Sequence, residues 1–466
     1  MFMDGRTARP ASLELKLPDG WKVSNGAIPI EENPHRFDFR SYDAMIDTPM
    51  LIGRHSEYTY EVGGVLHVVA IEGEGDLDHK AFVEGTRKLA EAANELFGGL
   101  PYEKYCFILY LSPRGGGGLE HANGTTMGVR AWGFSRDPKR LEDLLDLTSH
   151  EYFHTWNVKH IQPHVFKPYD YNGETETGFL WFSEGVTEYY TDQLLLRAGM
   201  VTPEIVLRNL AELIAETRNI PGRLYKSAYD ASFDTWIVPR NENRANTYFS
   251  YYPKGEFAGL IIDMEIMKRT NAEKSFDDVL LTMWKAYQDK DAGFDTETIR
   301  KLCEKVAGGS FEQIFADYVY GVKEVPFEEI LKVAGYELVV DEDKTKKKQK
   351  GAFLGARYSE RDGQVQVTSV LRDTEAWRGG LNFGDEIISI NGIRIRNTKA
   401  LDLQLELQKP GDAVTFLVGR ADRVETVQVT MEDFPVPVYK IVDVETPTAL
   451  QLEIRKKWFK QSTNES

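Results

Sequence analysis

Residues 150–154 read HEYFH, and no other stretch constrains the chain as tightly. On a helix, histidines four apart project from one face about one turn from each other. That placement suits two ligands on a tetrahedral zinc ion. Glu151 lies beside them, able to reach a water in the open coordination position and take its proton, which is why this spacing recurs in metallohydrolases. The competing reading is a pair of hydrogen-bonded histidines packed among Tyr152, Phe153 and Trp156. With 9 histidines in the chain, a chance HExxH has a probability on the order of one per cent.

The 466 residues are too many for one core, so two or three domains are expected. Up to about residue 75 the pattern is strand-like, in ASLELKLPDGWKVS and VGGVLHVVAIEG. We read residues 1–75 as an incomplete N-terminal β-rich domain, its strands too few for a comfortable sandwich. From residue 76 the period becomes helical, and DLDHKAFVEGTRKLAEAANELFGG is an amphipathic helix stopped by Gly98 and Gly99. KYCFILYL is a buried strand, followed by the glycine-rich PRGGGGLEHANG; from about residue 138 to residue 335 most segments are helical. Residues 336–350 form a charged, apolar-poor linker, residues 351–432 a small β-rich module with a helix capped by Thr398, and residues 433–466 a tail with a short helix. The fold class is therefore α+β, multidomain.

A formal net charge of −17 argues against a nucleic-acid partner, which would require clustered Lys and Arg. No apolar run approaches the roughly 18 to 20 residues of a membrane span. Cys106 and Cys303 form neither a CxxC pair nor a disulfide framework and read as two buried thiols. The N-terminus has no apolar h-region, so as the sequence stands the expectation is cytoplasmic; a trimmed chain would leave periplasmic or secreted locations open.

The third ligand has two candidates. HEYFHTWNVKH fits HExxHxxNxxH, in which Asn157 would allow a left-handed turn and bring His160 to the metal. Alternatively, in LWFSEGVTEYYTDQLLLRAG, Glu184 and Glu188 share a helix face, so that one could bind zinc while the other holds a ligand histidine from behind.

HEYFHTWNVKHIQP, then WFSEGVTEYY, then SYYPKGEFAGLIIDMEI, all preceded by GGLEH, resemble the glycyl aminopeptidase family of zinc metallopeptidases, with a thermolysin-like catalytic domain and a PDZ domain. The resemblance spans about residues 10–440 and keeps the family's motif order. It implies one Zn2+ per chain held by His150, His154 and Glu184, with Glu151 as general base and Glu188 behind the ligands. It also implies that Tyr252 in YYPKG donates a hydrogen bond to the oxyanion, an interaction worth roughly 3–4 kcal/mol in comparable sites. GGLEH resembles the strand on which related aminopeptidases lay the substrate backbone: Gly117 and Gly118 would line it, and Glu120 would pair with the free α-amine. The chain departs from the family at His160 and Gln162, where members commonly carry arginine.

GLNFGDEIISINGIRI closely matches a PDZ domain, and FLGA at 353–356 could be a carboxylate-binding loop beside a strand edge. The partners expected are peptides with a free N-terminus, and a protein C-terminus at the PDZ module. The resemblance implies removal of small N-terminal residues, Gly and Ala. The alternatives are a PDZ-guided endopeptidase and a catalytically inactive peptide-binding scaffold.

Overall fold

The computed structural model describes residues 5–238 and 241–460. The first four residues of the N-terminal region, residues 239–240 of a loop and the last six of the tail lie outside the described residues. The fold is α+β, in two compact units: Met1–Pro203 with Gly255–Glu312 and Glu453–Ser466, and Glu204–Lys254 with Gln313–Leu452. No helix among the described residues is long and apolar enough to cross a membrane.

In the first unit, residues up to 54 form two small antiparallel pairs, Ala11–Glu14 with Arg36–Phe39 and Lys22–Asn25 with Met50–Gly53. A five-stranded sheet follows, in the order Ser56–Val62, Val65–Glu72, Lys104–Ser112, Gly124–Arg130, Gly118–His121. Its three central strands are parallel and its outer pairs antiparallel. The continuous apolar run of KYCFILYL fits this central position, because a parallel strand covered on both faces is buried throughout. Ser56–Val62 and Val65–Glu72, grouped above with the N-terminal β region, belong to this sheet. The crossover helix His79–Phe97 starts at Asp78, whose carboxylate accepts from the Lys80 and Ala81 N–H groups, and stops at Gly98, where φ is 68°.

Two features of this unit position the site. The GLEH strand, Gly118–His121, lies at the end of the sheet and pairs only with Gly124–Arg130. The helix Lys139–Phe153 carries HEYFH in its last turn, with Tyr152, Phe153 and Trp156 fully buried. Phe153 stacks on Tyr190 with ring centroids 4.8 Å apart, and Trp156 stacks on Phe97 at 4.4 Å. The motif is thus locked from behind by aromatic packing.

The second unit contains the β-rich module. Strands Ala356–Arg361, Gln364–Val370, Glu386–Ile390, Ala413–Arg420 and Arg423–Thr430 pair in that order around a core including Ile387, Ile390, Leu401, Val414 and Phe416. The buried Asp385 of the GD motif is gripped by Arg420, Nε to Oδ1 at 2.7 Å and Nη2 to Oδ2 at 2.8 Å. The helix Thr398–Glu406 is capped by Asn397, whose side chain accepts from Ala400 N–H, and not by Thr398 as the sequence suggested. Asn and Thr are both good caps, and adjacent ones cannot be ranked by type alone. The charged stretch after strand Tyr336–Val340 folds as a short helix, Glu342–Lys348, opened by Asp341.

Candidate active site

His150 and His154 turn their Nε2 atoms toward each other at 3.0 Å, and Glu184 Oε2 lies 3.5 Å from the first and 3.4 Å from the second. Tetrahedral zinc with nitrogen ligands at about 2.0–2.1 Å sets its donors roughly 3.3 Å apart. The three donors therefore fit such an ion. Each histidine is also oriented from its far side. His154 Nδ1 bonds the Asn157 carbonyl at 2.7 Å, which leaves Nε2 for a metal. His150 Nδ1 faces Glu188 Oε2 at 3.6 Å and Thr191 Oγ1 at 3.5 Å.

The two acids reach opposite nitrogens of His150, Glu184 from a π turn and Glu188 from the α-helix that continues it. Trp181–Val186 is a π turn, continued by the α-helix Thr187–Arg197. Such a turn inserts an extra residue and rotates what precedes it. Gly255, in the helix Tyr251–Arg269, packs against it so closely that a β-carbon there would lie 1.9 Å from the Trp181 carbonyl oxygen. Asn157 holds the turn from the other side, with Nδ2 donating to the Phe182 carbonyl at 2.9 Å and to Thr187 Oγ1 at 3.1 Å.

Charge follows the geometry. Burial pushes the Glu151 carboxyl up to about 7, against the pull of His154 and His150. Burial lowers His150, but the hydrogen bonds and charges of Glu184 and Glu188 outweigh it and raise the imidazole to about 10. Burial opposes ionisation of Glu184, yet His154 and His150 hold it well below the usual carboxylate range. Glu151 Oε2 is buried without a hydrogen-bond partner among the described residues.

Glu120 lies beside this cluster: its carboxylate, that of Glu151 and a ring nitrogen of His154 lie within 4.8 Å of one another. A β-carbon on Gly118 would collide with Glu151, whereas one on Gly117 would meet open space. Gly117 is held in place by its carbonyl, which accepts from Gly128 N–H at 2.9 Å. Glu188 stands on the Nδ1 side of His150. Tyr252 sits in the first turn of Tyr251–Arg269, half-buried, with its ring stacked on Tyr251 at 5.0 Å and its N–H donating to Ser250 Oγ at 3.3 Å.

His160 is not part of the cluster. Its Nδ1 bonds the Thr155 carbonyl at 2.5 Å, and its ring meets Trp284 and Tyr287 edge-on at 5.7 and 5.1 Å. Asn157 is not among the residues with positive φ, so the left-handed turn that the HExxHxxNxxH reading requires is absent. Sequence reasoning missed Asn157 as a ligand-orienting residue. It also missed Asp47 and Lys159, whose pairing at 2.6 Å joins residues far apart in the chain.

An edge strand bearing glycines and an acid, set against an HExxH helix whose third donor comes from a later helix, defines a zinc metallopeptidase. Residues 143–258 match the family model of M61 glycyl aminopeptidases, residues 1–54 that of the peptidase M61 N-terminal domain, and residues 344–419 that of the PDZ domain. These matches to the M61 peptidase and PDZ models agree with the motif resemblance. Among solved structures, it is similar to an aminopeptidase N family protein from Idiomarina loihiensis, with 27% identity, a TM-score of 0.86, and coverage of 97% of this chain and 80% of that one. An M1 zinc metallopeptidase mutant from Deinococcus radiodurans, bound to a Tyr-Ser-Ala substrate, aligns at 16% identity over 68% of this chain and 64% of that one, with a TM-score of 0.44. No curated protein sequence matches the chain.

Proposed function

We propose that the chain is an aminopeptidase that removes small N-terminal residues, Gly and Ala, from peptides. The observation that carries this reading is the position of Glu120. It places a carboxylate on the edge strand within 4.8 Å of Glu151 and His154. A substrate laid along that strand with its first carbonyl at the metal brings its α-amine to Glu120. An ammonium in a buried cleft is costly unless paired, so this single acid selects a free N-terminus over an internal segment. The small-residue preference rests on the family resemblance alone.

In this reading His150, His154 and Glu184 hold one zinc ion, and Glu188 fixes the tautomer of His150 from its Nδ1 side. When bound, the metal supplies an electrophile for the scissile carbonyl and lowers the pKa of the attacking water. Glu151, raised to about 7, takes that water's proton on its otherwise unpartnered Oε2 and later delivers it to the leaving amine. Gly117 and Gly118 leave the edge strand clear for the substrate backbone. Tyr252, assigned from the resemblance, donates to the oxyanion.

For the PDZ module we propose a peptide C-terminus in the groove bordered by the edge strand Ala356–Arg361 and the helix Thr398–Glu406, its carboxylate at FLGA. Gly355 there has a φ of 77°, and Tyr358 OH to Asp402 Oδ1, at 2.5 Å, joins strand to helix.

Mass spectrometry of the products from a ten-residue peptide beginning Gly-Ala, with free and with acetylated N-terminus, tests the proposal. Stepwise loss of single residues from the free peptide alone is expected. Internal cuts in both forms would point to a PDZ-guided endopeptidase, and no cleavage with zinc bound to an inactive scaffold.

A further inference from the structure

Glu120 can select an amine only if its strand is held at a fixed distance from the HEYFH helix. The strand lies at the sheet edge and has one hydrogen-bonded neighbour. Edge strands with one partner are the least constrained part of a sheet, so something else must set its register against the zinc ligands.

Asp47, next to the short helix Tyr42–Ile46, makes contacts on both sides of that gap. Its Oδ1 accepts from His121 Nδ1 at 3.2 Å and its Oδ2 from Ala122 N–H at 3.0 Å, so it grips the tip of the hairpin directly after Glu120. The same Oδ1 accepts from Lys159 Nζ at 2.6 Å. Lys159 lies in the extension of the HEYFH helix, and its N–H bonds the His154 carbonyl at 2.9 Å. The neighbouring Thr48 Oγ1 accepts from Asn123 Nδ2 at 3.2 Å. Gly26 lets the same region approach the hairpin tip from another point, for a β-carbon there would lie 1.9 Å from the Asn123 carbonyl oxygen.

The ion pair is largely enclosed, with side-chain exposure of 14% for Lys159 and 26% for Asp47. Burial opposes the Asp47 charge, but the bond from His121 and the Lys159 ammonium outweigh it and lower the carboxyl below its ordinary value. The anchor therefore stays ionised at neutral pH. An enclosed pair with good geometry holds its partners in one arrangement.

We infer that Asp47 is a positioning residue: by clamping the His121–Ala122 end of the substrate strand to Lys159, it sets the distance from Glu120 to the metal site and so tunes recognition of the substrate amine. This inference rests on Glu120 as the amine anchor.

The test compares Asp47→Asn, Glu120→Gln and the double variant of both in the zinc-loaded protein, reading KM and kcat for glycyl p-nitroanilide together with zinc content. An amine contact is made in the ground state and the transition state alike, so its loss appears chiefly in KM. Asp47→Asn is expected to raise KM at least tenfold with zinc retained, and the double variant to raise it no further than Glu120→Gln alone, because the two act through one contact. Loss of structure would instead lower the active fraction, and with it kcat, while leaving KM in place. Should Asp47→Asn fold poorly because Lys159 is left unpaired, Asp47→Asn with Lys159→Met removes the stranded charge and is read the same way. A KM within twofold of the parent for Asp47→Asn, with Glu120→Gln raised, would overturn the clamp and leave the anchor standing. An unchanged KM for Glu120→Gln would overturn the anchor itself, and the clamp with it.

Discussion

A β-carbon placed on Gly118 would stand 2.1 Å from the carboxyl carbon of Glu151. The edge strand and the Glu151 side chain are therefore in contact, with no room for a side chain between them. The atoms in the way are the end of a flexible side chain rather than backbone, so an alanine at 118 can be accommodated by moving Glu151.

Gly118→Ala is accordingly expected to fold normally and bind zinc while losing about 10²-fold or more in kcat, the range that displacement of a general base costs. Steady-state kinetics beside metal analysis and thermal unfolding check it. A variant with unchanged kcat would mean that Glu151 is not the base or does not need this position.

Zinc content separates the two candidates for the third ligand. Glu184→Ala should be purified with little zinc, since only two donors remain, whereas His160→Ala should keep its full complement, its ring being engaged by Thr155, Trp284 and Tyr287. Loss of metal in the His160 variant alone would contradict the ligand set.

Zinc affinity should rise with pH. Without metal His150 is raised to about 10, so below that value binding must displace its proton. The apparent Kd should increase about tenfold for each unit the pH is lowered between 9 and 7. Calorimetry in buffers of different ionisation enthalpy would show the released proton; a pH-independent Kd would speak against it.

A second buried charge cluster is expected to contribute to stability toward acid. Asp277 accepts from Arg197 Nη2 at 2.6 Å, Lys460 Nζ at 3.0 Å and Tyr190 OH at 3.0 Å. Burial raises its carboxyl, but Lys460 and Arg197 outweigh that and hold it well below the usual range. A depressed folded pKa contributes stability that is fully present above the unfolded value, about 3.9, and is lost as pH falls below it. Asp277→Asn should cost about 3–5 kcal/mol by stranding two buried cations, and should flatten the acid limb of the unfolding midpoint against pH. An unaltered acid limb would remove Asp277 from that account.

The parts of this site that were legible in the sequence are those set by local spacing. His150, Glu151 and His154 lie within one helical turn, and Asn391 and Gly392, in the "ING" of the PDZ signature, supply the positive φ values a tight turn requires. Glu184 and Glu188 were legible too, one acid facing the two Nε2 atoms and the other standing behind His150. What spacing did not show is the π turn Trp181–Val186 that carries Glu184. That turn is packed by Gly255 and bonded by the side chain of Asn157, both tertiary facts. Asp47 was invisible for the same reason: its partners lie 74 and 112 residues away, and nothing in a short acidic helix end announces them.

The central claim is that Glu120 makes this zinc peptidase an exopeptidase. It is tested most directly by the rate of chromophore release from glycyl p-nitroanilide beside that from its N-acetylated counterpart, both with the zinc-loaded protein. Release from the free amine alone is the predicted result; equal release from both, or release from the acetylated form only, would contradict it.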